Sequence, residues 1–428
     1  MRRLLAGALV ATSCTCGAVL GAAAPALADG SSCVGLNDPE TEGVEPATEP
    51  GASFEELQIA QAQALVEGRT GLAAGSGVTV ALIESGVPSS LRASENADLA
   101  PLGEDGYEWW SGPAMAGLIG GPASGDVPVG FAPGVTLRSI RAFDVGVGGS
   151  GDDVEPPRVS SLVAALAKVP SDADVVVVPQ TVVPSTDEER RDLQRAVKRL
   201  TRKGVVVVAA AGDRPVEGQP GYGAAGEADP GEDHADLFWP AALAQADPRV
   251  LAVTSTAAAD GSLAQVLPSS AVSVAVPTAG AVSYALTGDT CQIPDISSAT
   301  AAAEVAGIVA MLMSYFEDET PDQVVARLLH TATGAANAEL PDPRVGAGVV
   351  QPVEALTRPL RPAKDGTIAG DAPPRASTPP AVVPEPEADR LASTRDDLVR
   401  WGLIGGLALV LVLVLRPVFT RHRNRPGG

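Results

Sequence analysis

"DISSATAAAEVAGIVAML", residues 295–312, decides the reading of this chain. Ala299, Ala301, Ala302, Ala303, Ala306 and Gly307 keep one side of the segment small, while Val305, Ile308, Val309 and Leu312 form an apolar stripe at helical spacing. The stretch is predicted to be a closely packed core helix. Its first turn presents free N–H groups and the positive end of the helix dipole at a fixed point. Such a point suits a nucleophile and the oxyanion it generates, yet position 299 carries only a methyl group.

Valine-rich runs precede this helix at Val78–Ile83, Val175–Val178, Val205–Ala210, Val250–Val253 and Val272–Val276, with helical stretches at Val159–Val169 and Glu188–Lys203 between several of them. Runs that are apolar without alternation suit strands covered on both faces, hence an α/β fold with a mostly parallel sheet flanked by helices. Phe54–Val66 is expected to form one short helix, and the acidic, proline-rich residues 36–50 an extended or partly disordered arm. Asp213–Asp236 reads as a long Gly-, Pro- and acid-rich loop. "VGVGGSG" (145–151) lacks the strand–turn–helix frame of a nucleotide-binding loop.

The two ends carry address signals. Arg2 and Arg3 precede an apolar run and Ala26-Leu27-Ala28, the pattern of a secretory signal peptide cut after Ala28. Near the other end, residues 398–419 are long and apolar enough for a transmembrane helix, with Asp396 and Asp397 before it and Arg421, His422, Arg423 and Arg425 after it. The expected layout is a signal peptide (1–28), an arm (29–66), a globular domain (67–357) and a proline-rich stalk (358–397). A membrane span (398–419) and a basic cytoplasmic tail (420–428) follow. The domain would lie outside the cell membrane. Removal of the signal leaves Cys33 and Cys291, an even pair that in an exported protein reads as a disulfide. The chain has three histidines, none near a cysteine, so neither a Cys/His metal site nor any cofactor is expected. The net charge of −22 speaks against nucleic acid as a partner.

Seven segments in order then carry a resemblance. "GSGVTVALIESGVPSS" (75–90), "SGPAMAGLIGG" (111–121), "VGFAPGVTLRSIR" (129–141), "KGVVVVAAAGD" (203–213), the stretch 239–261, the helix at Ala299 and "RVGAGVVQPVEAL" (344–356) resemble the segments of a subtilisin-like serine protease. With the signal peptide, arm, stalk and membrane span, the whole resembles the mycosins, the membrane-anchored subtilisin-like proteases of type VII secretion systems. The resemblance implies the subtilisin fold and, as partners, membrane proteins of a type VII secretion complex. It also implies where the chemistry should be. Glu84 stands at the position of the triad aspartate, Ser111 at the histidine, Ala299 at the serine, and Asp213 at the asparagine that donates to the oxyanion.

Acyl transfer needs a hydroxyl, an imidazole to take its proton, a carboxylate to orient the imidazole, and donors for the oxyanion. Here the hydroxyl and imidazole are both missing, and an ionised Asp213 would put negative charge where negative charge must develop. Ser297 and Ser298 are the candidate displaced nucleophiles, but His234, His330 and His422 all stand outside the quoted motifs. The acid-protease sedolisins carry an aspartate at the oxyanion position, which Asp213 matches, with Glu108 a turn before Ser111; they still require the serine. Three readings result: a non-proteolytic structural component of a type VII secretion system, a serine endopeptidase with an unorthodox site, and a pseudoprotease holding peptide segments in the former cleft. Trp109 and Trp110 are either a partner-contact patch or filling beside the core.

Overall fold

The computed structural model describes residues 32–34, 36, 45–88, 94–98, 109–143, 157–214, 232–256, 266–293, 296–333 and 342–368. The expected signal peptide, the membrane span 398–419, the basic tail, Glu108, His422 and the glycine string 145–151 lie outside them.

Seven parallel strands form the sheet. In chain order they are β1 (Thr79–Glu84), β2 (Ser94–Asp98), β3 (Thr136–Arg141), β4 (Val175–Val178), β5 (Val206–Ala210), β6 (Val250–Ser255) and β7 (Val272–Val276). They lie side by side as β2-β3-β1-β4-β5-β6-β7. The valine runs supply five of these strands. Their residues alternate between two cores, as burial on both faces requires. Val80, Leu82, Val175, Val177, Val206, Val208, Leu251 and Val253 join one core with α3 (Ser111–Gly120) and α6 (Ser298–Tyr315). Ala81, Ile83, Val176, Val178 and Val207 join the other with α4 (Val159–Lys168) and α5 (Asp187–Thr201).

The helix predicted from residues 295–312 is α6. It is buried along nearly its whole length, and its 18 residues would suffice by length and composition to cross a bilayer. Here it crosses the sheet instead, packed against α3, β4, β5 and β6. A Cβ at Gly307 would come within 2.6 Å of the Phe131 side chain, so glycine sets how closely that segment can pass.

The expected single helix over 54–66 is two helices, α1 (Ala52–Glu56) and α2 (Ile59–Thr70). Gln58 breaks them apart with φ 54°, a left-handed turn that no glycine or asparagine announces. Ahead of α1, the arm is bound to the antiparallel pair β8 (Val282–Tyr284) and β9 (Thr290–Gln292). The Cys33 N–H donates to the Gln292 carbonyl at 2.9 Å and the Ala47 N–H to the Thr290 carbonyl at 2.9 Å. A Cys33–Cys291 disulfide closes the attachment across 258 residues. At the other end, residues 358–368, where the stalk was expected to begin, lie against α7 (Pro321–Thr331). Arg327, Gln323 and Thr320 donate there to the carbonyls of Leu360, Pro362 and Lys364.

Candidate functional site

In parallel sheets, chemistry collects beyond the carboxyl ends of the strands. Among the polar groups that stand there, Glu84 ends β1, Gln180 follows β4, and Asp213 follows β5. They belong to two clusters.

The first is built on Glu84, whose side chain is fully buried. Its Oε1 accepts from the Ser111 hydroxyl and from the Gln180 amide, both at 2.9 Å, and its Oε2 accepts from the Ser85 N–H at 2.5 Å. Burial pushes the Glu84 carboxyl above the usual range, and the hydrogen bonds from Ser85, Gln180 and Ser111 pull it back only in part. Ser111 opens α3 and is itself buried. The helix start is pressed onto the turn after β1, where the Gly112 N–H donates to Ser85 Oγ at 3.1 Å. The Ser111 hydroxyl thus bonds the Glu84 carboxyl directly, with nothing between them.

The second cluster sits at the N-terminus of α6. Ser297 is the N-cap, its Oγ accepting from the Thr300 N–H at 3.1 Å and lying 2.9 Å from Thr300 Oγ1. The Ser298 N–H donates to both carboxylate oxygens of Asp213 at 2.9 Å, and the Ser298 hydroxyl donates to Oδ2 at 2.9 Å. Ser298 Oγ also accepts from the Gly212 N–H at 3.1 Å, and the residue is 1% exposed. The anion that a helix N-terminus favours is therefore supplied by the chain itself. Ala299, half-buried, packs against the main core.

This geometry can bind and orient, but its hydroxyls are committed. Ser298 is inside the protein with its oxygen engaged on both sides, and Ser297 caps a helix. Among the described residues no three His, Cys, Asp or Glu side chains gather as metal ligands. His330 ends α7, which packs against α6 and α8 (Pro352–Thr357), and His234 lies in the segment before β6, its backbone bonded to Pro268. Trp109 and Trp110 are both half-buried, their ring centroids 6.4 Å apart, with Trp110 against the main core. The sequence placed Glu84, Ser111, Asp213, Ser297, Ser298 and Ala299 at this end of the sheet and missed Gln180 and Ser85. A residue just past a valine strand was the available signal for Gln180.

If the Asp213 carboxylate satisfies α6, removing it must weaken the helix start. Asp213→Ala is expected to cost about 1–2 kcal/mol and to lower Tm by a few degrees, with Asp213→Asn milder because one acceptor remains. Thermal unfolding of the two variants beside the wild type measures this. An unchanged Tm in Asp213→Ala would mean the contact carries no stability.

The comparisons agree with this architecture. Residues 75–348 match the model of the subtilase family. Mycosin-1 of Mycobacterium tuberculosis is 30% identical over 416 residues, covering 88% of this chain and 89% of that protein. The solved MycP3 protease from the type VII (ESX-3) secretion system is 26% identical with a TM-score of 0.54, over 73% of this chain and 90% of that one. A chain in the structure of an intact ESX-5 inner membrane complex shares the fold at 23% identity and TM-score 0.54, over 90% of this chain and 92% of its own.

Proposed function

We propose that this chain, which belongs to the subtilase family and within it to the mycosins, is a non-proteolytic mycosin. In this reading it is a structural or accessory component of a type VII secretion system. A link to type VII secretion follows from its relatives, which include a chain of an intact ESX-5 inner membrane complex. The loss of catalysis is supported chiefly by one observation: the Ser298 N–H, at the N-terminus of α6, is bonded to the carboxylate of Asp213. A developing oxyanion would meet negative charge in place of a donor. Glu84 bonded to Ser111, and the methyl of Ala299, support the same reading.

The layout proposed with it is a secreted domain (67–357) held by a stalk (358–397) to a single span (398–419), with a short basic tail inside the cell. The partners are then membrane proteins of the secretion complex. Their binding would use the outer surface of the domain and needs no turnover.

Labelling with a fluorophosphonate tests the central point. The full chain, purified in detergent and read by intact mass beside an active mycosin, is expected to take up no adduct. A stoichiometric adduct on Ser297 or Ser298 would overturn the proposal and establish an endopeptidase with a displaced nucleophile. Ala299→Ser is expected to remain unlabelled too, because no imidazole accompanies the restored hydroxyl.

A further inference from the structure

We propose that Glu304 and Ser53 form a proton-operated latch that holds the N-terminal helices on the central helix α6. Glu304 lies within α6, between Ala303 and Val305, and is 0% exposed. Ser53 lies in α1 and is 1% exposed. Both carboxyl oxygens and the Ser53 hydroxyl are buried and lack a well-formed hydrogen bond, with Ser53 close enough to the carboxyl group to act on it. Three buried oxygens in that state are costly unless something satisfies them. A proton on Glu304 turns the carboxylate into a donor that Ser53 can accept, and it needs no space.

The setting makes this a joint rather than an isolated defect. The start of α1 is wedged against β8: a Cβ on Gly51 would come within 2.7 Å of the Val282 nitrogen, and the Ala52 N–H donates to the Gly280 carbonyl at 2.9 Å. Phe54 meets Phe131 edge to face at 5.7 Å, and Gln63 on α2 donates to the carbonyls of Gly130 and Phe131. The segment is thus seated by contacts on either side of Ser53, and Glu304 lies directly beneath.

Among the described residues no cation offsets a charge there. Glu56, on α1, adds a negative field of its own. Of the other charged groups on the packed elements, Arg69 of α2 lies over the Tyr315 ring, Arg327 and Asp322 of α7 are paired with Glu319 and Arg249, and the His330 imidazole of α7 is held below its usual range by burial and by Arg358. Glu84 of β1 is bonded to Ser85, Ser111 and Gln180. Glu55 on α1, Glu67 on α2 and Glu354 on α8 would only add negative charge. Burial raises the Glu304 carboxyl to about 8, against an ordinary 4.5; the Ser53 hydroxyl pulls it down in part, and Glu56 adds to the rise.

The sign follows. The seated form keeps a proton that a released, hydrated carboxyl gives up. Seating is therefore strongest below pH 4.5, weakens as pH rises towards 8, and is constant above it. The limit for a single proton is about tenfold per pH unit.

Hydrogen exchange of residues 52–70 in the full chain in detergent, corrected for the intrinsic pH dependence of exchange, reads this directly. In the wild type, protection is expected to fall several-fold per unit between pH 5 and 8 and then level off. In Glu304→Gln it should be flat across the same range. Glu304→Met, which fills similar space without titrating, gives the same flat profile and stands in should the glutamine variant fail to fold. A wild-type profile without slope, or an equal slope in the non-titrating variants, would overturn the latch.

Discussion

Gly112→Ala is expected to leave little folded protein. The first turn of α3 crosses the turn after β1 so closely that a Cβ at this position would stand 2.0 Å from the Gly86 carbonyl oxygen and 2.9 Å from Ser85 Oγ. The obstructing atom is backbone at the buried end of a central strand, so it cannot swing aside as a side-chain tip can. Gly112 does not have a positive φ, so the cost is steric and owes nothing to backbone preference. Overpacking of this kind costs on the order of 3 kcal/mol or more, a large part of the stability of an ordinary domain. Gly68→Ala is the control. It lies inside α2 with nothing within 4 Å of its would-be Cβ, and alanine there should stabilise by up to about 1 kcal/mol. Denaturant unfolding of both variants checks the contrast; a Gly112→Ala protein as stable as the wild type would mean the two turns separate freely.

The second large effect is expected at the disulfide. Cys33→Ser with Cys291→Ser removes a cross-link spanning 258 residues. Chain entropy puts the loss at about 5 kcal/mol, near the upper end of what native disulfides supply. With roughly 2 cal/mol/K of unfolding entropy per residue over a domain of about 300 residues, Tm should fall by about 8 °C. The loss should be reproduced by reductant in the wild type and be absent when reductant is added to the double variant. A wild-type Tm that reductant leaves within about a degree would show that the unfolded chain gains little from release of the link.

These sites differ in how far the sequence disclosed them. The valine strands were legible because burial on both faces leaves a plain compositional mark. β2 was not: "SENAD" is polar, and among the described residues it pairs only with β3 at the sheet edge. β8 and β9 are three residues each, too short for any periodicity. The division of α1 from α2 rests on one glutamine in a left-handed turn. At the site, the positions Glu84, Ser111, Asp213 and Ala299 could be read off the ordered motifs. Their bonds could not, since Gln180 reaches Glu84 across 96 residues and Ser298 reaches Asp213 across 85. Glu304 stood in the deciding stretch itself and passed unremarked. A helix buried on every side has no wet face, and its sequence does not reveal where its one carboxyl points.

The pairing of the arm with β9 also sets a timetable. A ribosome releases Cys33 long before Cys291, and β1 before β3 and β4, the two strands that flank it. The helix that covers the middle of the sheet, α6, arrives later still. Early segments must therefore wait with their apolar surface unclaimed, and no partial chain can complete the sheet by local contacts alone. For most of its synthesis this protein depends on being kept from the wrong neighbours, and the arm that carries Cys33 waits for Cys291 before it can be secured.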